Sequence, residues 1–264
     1  MQPITDSRIR DTISSTPKLE LASVSFNTYI SRIYELESKF INEEILITKL
    51  QEDQYLSDPT IIFDQDMIRA FRLLCHAETE AYLENLADKL SKDEYLSWKA
   101  DGTPSDVVIN IIASHYSGWD KIDCSVKEYK PFSDQQIKKH GSGIALAAAE
   151  KAYGAYKHVL LNNHGVKEEN FKNMFVPLGI LEGDYNDLIQ LLDRYGAMRG
   201  SVAHSSNTVQ TLINPIDEKN VIIDIIKGIL ILDINVTDRL NNQGRAMLER
   251  INQMQMQMQM QLTQ

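Results

Sequence analysis

The sequence predicts an all-α protein, a helical bundle with an extra long helix at its N-terminal end. Apolar residues recur at three- and four-residue steps through most of the chain, which is the period of one helix stripe. An alanine-rich stretch, IALAAAEKAYGAYKHVLL, favours helix and permits close packing. The one segment with strand-like β-branched content, 221–236, has no neighbouring strand candidate to pair with, and it is too long for an ordinary strand.

Residues 1–20 are polar and of mixed charge and read as a disordered arm. From 24 to about 54, Phe26, Ile30, Ile33, Leu36, Phe40, Ile47 and Leu50 trace one helical stripe, within an N-terminal helical unit placed at 21–56. Ser57-Asp58-Pro59 closes it, because proline disfavours helical geometry in the residue before it. A second long helix is expected from near Asp64 to about Leu90. Shorter ones follow at 93–99 and 105–117, the latter opened by the oxygen-bearing side chains of Ser105 and Asp106.

A helix within 133–161 stops at Asn162-Asn163-His164-Gly165, and a short one covers 167–174. After Pro177-Leu178-Gly179 and Gly183-Asp184, the spacing of Tyr185, Leu188, Leu191 and Leu192 predicts a helix leading to Met198-Arg199. The last long helix is expected from Pro215 to about Asn241. The main helical domain is therefore placed at 57–245, and the period-two run QMQMQMQMQ lies in a low-complexity, frayed tail at 246–264.

Composition narrows the function classes. Against 27 basic residues stand 37 acidic ones, a net charge of −10, so a basic face that coats nucleic acid is not expected. A site that grips one or two phosphates needs local positive charge only. The two cysteines, Cys75 and Cys124, show no metal or redox spacing and read as buried thiols. No secretory signal is apparent, and the apolar segment near 221–236 is broken by Asp224, Lys227 and Asp233, so a cytoplasmic protein without a membrane span is expected.

Two weak patterns are set aside. Gly141-Ser142-Gly143 lacks a preceding strand and the last glycine of a dinucleotide turn. His140, His158 and His164 include no tight ligand pair and read as surface or capping histidines, so neither a metal nor another cofactor is expected.

The pair that carries chemistry is Arg199 and His204 in MRGSVAHSS. Spacing alone does not single it out, since random placement of the arginines and six histidines gives roughly 0.7 matches to an arginine, four to six residues and a histidine. Arg69 and His76 fit as well. Seven positions bring that second pair back to one helix face beside apolar residues, where packing roles are expected. Five positions in an unbroken helix put Arg199 and His204 on divergent faces. Gly196, Gly200 and Ser201 are expected to weaken the helix, and Ser205-Ser206-Asn207 to end it, so that the two side chains converge.

Around this pair the chain resembles the HEPN superfamily of helical domains, and it looks closest to the RiboL-PSP-type branch. The resemblance rests on GVKEENFKNMFVPLGILEGDYNDLIQLLDRYGAMRGSVAHSS, similar to the family's helix, Leu-Gly turn, helix and R-x-x-x-A-H segment. FRLLCHAETEAYLENLADKL resembles the first core helix, which often carries an acidic residue near the site; Glu80 takes that position. Gly200 departs from the Asn, Asp or His often found after the arginine.

What the resemblance implies is a metal-independent endoribonuclease, with Arg199 and His204 catalytic and Glu80 supporting. It also implies a homodimer lining one cleft, an RNA substrate, and a toxin or antiviral defence role with an antitoxin or defence-system partner protein. The alternative is a noncatalytic helical interaction module, in which Arg199 forms an ion pair with Asp193 or Glu80 and His204 caps a helix.

Overall fold

A computed structural model describes residues 9–41, 64–117, 144–204 and 212–262; side chains are described within these except at 101, 117, 144–145, 201–204 and 243–262. Among the described residues every regular element is helical. The helices are α1 (Ile9–Ser14), α2 (Val24–Phe40), α3 (Gln65–Asp101), α4 (Asp106–Ser117), α5 (Ile144–Leu161), α6 (Glu168–Phe175), α7 (Asn186–His204) and α8 (Pro215–Leu262).

The expected arm is ordered in its described part. Ile9 and Ile13 of α1 are fully buried, and the Ile9 amide donates to both oxygens of the Glu37 carboxylate at 3.0 and 3.1 Å. Two isoleucines four residues apart are enough to dock one helical turn, which the polar residues around them conceal in the sequence. Residues 1–8 lie outside the described residues.

The hydroxyl of Ser23 caps α2 by accepting from the Phe26 amide at 3.0 Å. This helix ends at Phe40, well short of 54, where Ile41 leaves helical geometry and buries its side chain. The expected Pro59 stop lies outside the described residues. Asp64 caps α3, whose stripe continues through Leu83, Ala87, Leu90 and Tyr95, so the two helices expected at 64–90 and 93–99 are one. Nothing in Ser91-Lys92-Asp93 breaks a helix, and α3 ends at Gly102 in the left-handed region.

Between α6 and α7 the chain turns at Gly179, with φ at +74°, where the Asn110 side chain occupies the space a Cβ would need. The Ile180 amide donates back to the Phe175 carbonyl at 3.2 Å and closes the turn. The central α8 is buried along Ile222, Ile225, Ile226, Ile229 and Leu232, which answers the strand-or-helix question in favour of helix. Its backbone stays helical to Leu262, where a frayed tail was expected.

Buried polar pairs fix how these helices meet. The Arg72 guanidinium of α3 grips the Glu218 carboxylate of α8, with Nε 3.0 Å from both oxygens. Lys219 meets Glu37 of α2 at 3.2 Å. Asp233 accepts from the Ser23 amide and hydroxyl, both at 2.7 Å, and from the Tyr82 hydroxyl. Each charge is met by several donors or an opposite charge, which offsets the cost of burying it.

Candidate functional site

The site forms where α7 lies along α3. Tyr195 anchors α7: its buried hydroxyl donates to the Arg72 carbonyl at 2.9 Å, and its ring stacks on His76 of α3 at 5.9 Å between centroids. One turn further along α7 stands Arg199, exposed to solvent. Glu80, one turn past His76 on α3, faces the same junction, with Oε2 3.5 Å from His76 Nδ1.

Electrostatics ties these groups together. Burial, and then the charge of Arg199, push His76 down from 6.5 to about 4, so its ring is neutral at physiological pH. The Glu80 carboxyl is pushed up by burial and by the neighbouring Glu84, while Arg199, His164 and the Gly165 amide act in the opposite direction. A half-buried carboxyl held above its ordinary range beside a solvent-facing arginine is an arrangement found at functional sites.

The backbone of α7 does not show the break expected between Arg199 and His204. The backbone of α7 is continuous through Gly196, Gly200 and Ser201 to His204. At about 100° per residue the two positions lie about 140° apart around the axis. The side chain of His204 and residues Ser205-Ser206-Asn207 lie outside the described residues. Gly196 serves packing instead of breaking the helix: a Cβ there would stand 2.7 Å from Lys167 Cγ, whose stem crosses α7 at this point. Gly200 has open space where its Cβ would be.

The other loose match comes apart. Arg69 turns to Asp66 at 2.8 Å, away from His76. His76 is packed, as expected, but it is packed against the surroundings of Arg199. No metal is expected from the sequence, and among the described residues no group of three or more His, Cys, Asp or Glu is arranged to hold one. Nor, among them, is any helix long and apolar enough to cross a membrane. Cys75 is buried and its thiol pushed far up by that burial; Cys124 and His140 lie outside the described residues.

The model of the family described as RiboL-PSP-HEPN matches residues 27–237. The chain belongs to that family. No match was found among curated proteins or among solved structures. The HEPN match opens within α2, so most of the helix expected as an addition lies inside the matched region.

Within this HEPN-type domain, Arg199 and Glu80, singled out in the sequence as candidates, lie within electrostatic reach of each other, and His76, which the sequence assigned to packing alone, lies within the same reach of Arg199. The signal was present: His76 and Glu80 are four residues apart, which puts them on one helix face. The sequence also left His164 as a surface histidine. The structure sets that residue on an exposed loop within electrostatic reach of Glu80.

Proposed function

We propose that this HEPN-type protein is a metal-independent endoribonuclease and acts as a toxin or defence effector, with Arg199 and His204 catalytic and Glu80 supporting. The observation that carries the reading is Arg199 itself, a solvent-facing guanidinium whose charge acts on a half-buried Glu80 that burial pushes up. Such a group supplies local positive charge on a chain of net charge −10.

In the reaction, the 2′-oxygen of RNA bonds to the adjacent phosphorus and the bond from phosphorus to the 5′-oxygen breaks. A neutral imidazole takes the 2′-hydroxyl proton and an imidazolium returns one to the departing 5′-oxygen, which suits a side chain that titrates near neutrality. Arg199 holds the phosphate oxygens while negative charge builds on them. Because positions 199 and 204 diverge around α7, the shared cleft of a homodimer is the natural way for both to reach one phosphate.

Purified protein is expected to cut RNA in excess EDTA, leaving a 2′,3′-cyclic phosphate and a 5′-hydroxyl. Arg199→Ala and His204→Ala each lower the rate by roughly a hundredfold or more, while Arg69→Ala leaves it unchanged. Activity abolished by EDTA, or indifferent to both substitutions, overturns the reading. The divergence of 199 and 204 also favours a second reading, a noncatalytic helical module, which predicts no cleavage by protein freed of contaminating nuclease.

A further inference from the structure

The loop between α5 and α6 forms a braced wall beside Arg199. Asn163 is its keystone: Nδ2 donates to Glu84 Oε1 of α3 at 2.7 Å and to the Gly165 carbonyl at 2.9 Å, while Oδ1 accepts from Asn170 at 2.9 Å. Gly165 has φ at +151°, a conformation that disfavours side chains, and its amide donates to Glu80. Further on, the Lys167 stem lies across Gly196 of α7, and the Glu168 amide reaches Asp193 at 3.4 Å. The loop is thus tied to α3 at one end and to α7 at the other.

Two residues of this wall stand exposed beside that bracing. His164 stands exposed between the keystone asparagine and Gly165, within electrostatic reach of Glu80. Lys167 is exposed and crosses α7 three residues before Arg199, close to one helical turn. Arg199 and His164 thus stand around one half-buried carboxyl, and Lys167 crosses the helix one turn before Arg199, so three cation-capable groups from two elements line this junction. On so acidic a chain, this is a local place for a short anionic strand to lie.

We propose that His164 and Lys167 contact the RNA phosphates flanking the one held by Arg199, so that the α5–α6 loop is the second wall of a single-stranded RNA cleft. This rests on the ribonuclease reading and adds to it the strand's path and two binding residues. Single-strand binding follows from the mode of contact: a wall that meets backbone phosphates does not demand a duplex.

The test is equilibrium binding of a single-stranded RNA carrying 2′-O-methyl groups, which cannot be cut, across a salt series. His164→Gln and Lys167→Met are compared with wild type; methionine keeps an unbranched stem over Gly196. Each is expected to weaken binding roughly three- to tenfold, and Lys167→Met to flatten the dependence of log affinity on log salt by about 0.7, the slope that one neutralised phosphate gives on a single strand. Circular dichroism and melting are expected to be unchanged. If both variants bind with wild-type affinity and slope while Arg199→Ala does not, the wall is not part of the cleft and the ribonuclease reading stands. If wild type does not bind RNA, or Arg199→Ala binds equally well, the ribonuclease reading fails and the wall with it.

Discussion

At the scale of single residues, His76 gives the site a signature measurable without substrate. Folding holds it near 4 against 6.5 in the open chain, chiefly by burial and then by Arg199. Between these values the unfolded chain binds a proton that the folded chain refuses, so this contribution to stability is full above 6.5 and is lost as pH falls toward 4. Glu80 acts in the opposite sense, since its raised carboxyl favours the fold most when protonated. His76→Gln is therefore expected to lose less stability than wild type between pH 7 and pH 4.5, read from urea midpoints; an equal loss would show that His76 titrates freely. His76 was hidden in the sequence because its partner Tyr195 is distant along the chain, whereas periodicity reports only neighbours within a turn or two. Arg199 and Glu80 were singled out because family resemblance marks positions without needing to know what touches them. Between Arg199 and His204 the expected break does not form, because two glycines and a serine lower helix propensity by only about 1 kcal/mol each or less, too little to break a helix anchored at Tyr195.

At the scale of elements, a glycine within α7 and one in the turn before it predict opposite outcomes. Gly200 sits within α7 with open space around it, so Gly200→Ala is expected to stabilise the fold by about 0.5–1 kcal/mol through helix propensity alone. Gly179 has φ at +74° with Asn110 against its Cβ position, so Gly179→Ala is expected to cost about 1–3 kcal/mol. Denaturant unfolding of both variants measures the contrast, and a Gly179→Ala protein as stable as wild type would mean that the turn relaxes freely. The same elements show what was legible. The starts of α3, α4 and α8 were readable because Asp64, Ser105 and Pro215 are local capping signals. The end of α2 was not, because the stripe continues past Phe40 with no glycine or proline near it. Where that helix stops depends on Ile41 finding a buried place, which is a tertiary fact.

At the scale of the whole molecule, buried ion pairs join α2, α3 and α8 into one frame, and α7 hangs on that frame through Tyr195. Arg199 thus stands on α7 beside α3, while position 204 lies about 140° further around α7. A pair that diverges on a continuous helix is not closed by a small backbone adjustment within one chain, and the proposed two-fold partner would close it without bending α7. Mixing separately inactive proteins tests this. If Arg199 of one protomer works with His204 of its partner in the shared cleft, a heterodimer of Arg199→Ala and His204→Ala keeps one of the two working pairs. With random exchange at equal concentrations, half the dimers are mixed and about a quarter of wild-type activity returns. Light scattering should show a dimer at micromolar concentration, and the recovered activity should rise with the exchange time allowed. No recovery after complete exchange, or a strictly monomeric mass with full activity, would place the working pair within one chain and require some other group on the α3 side of α7 to move the proton.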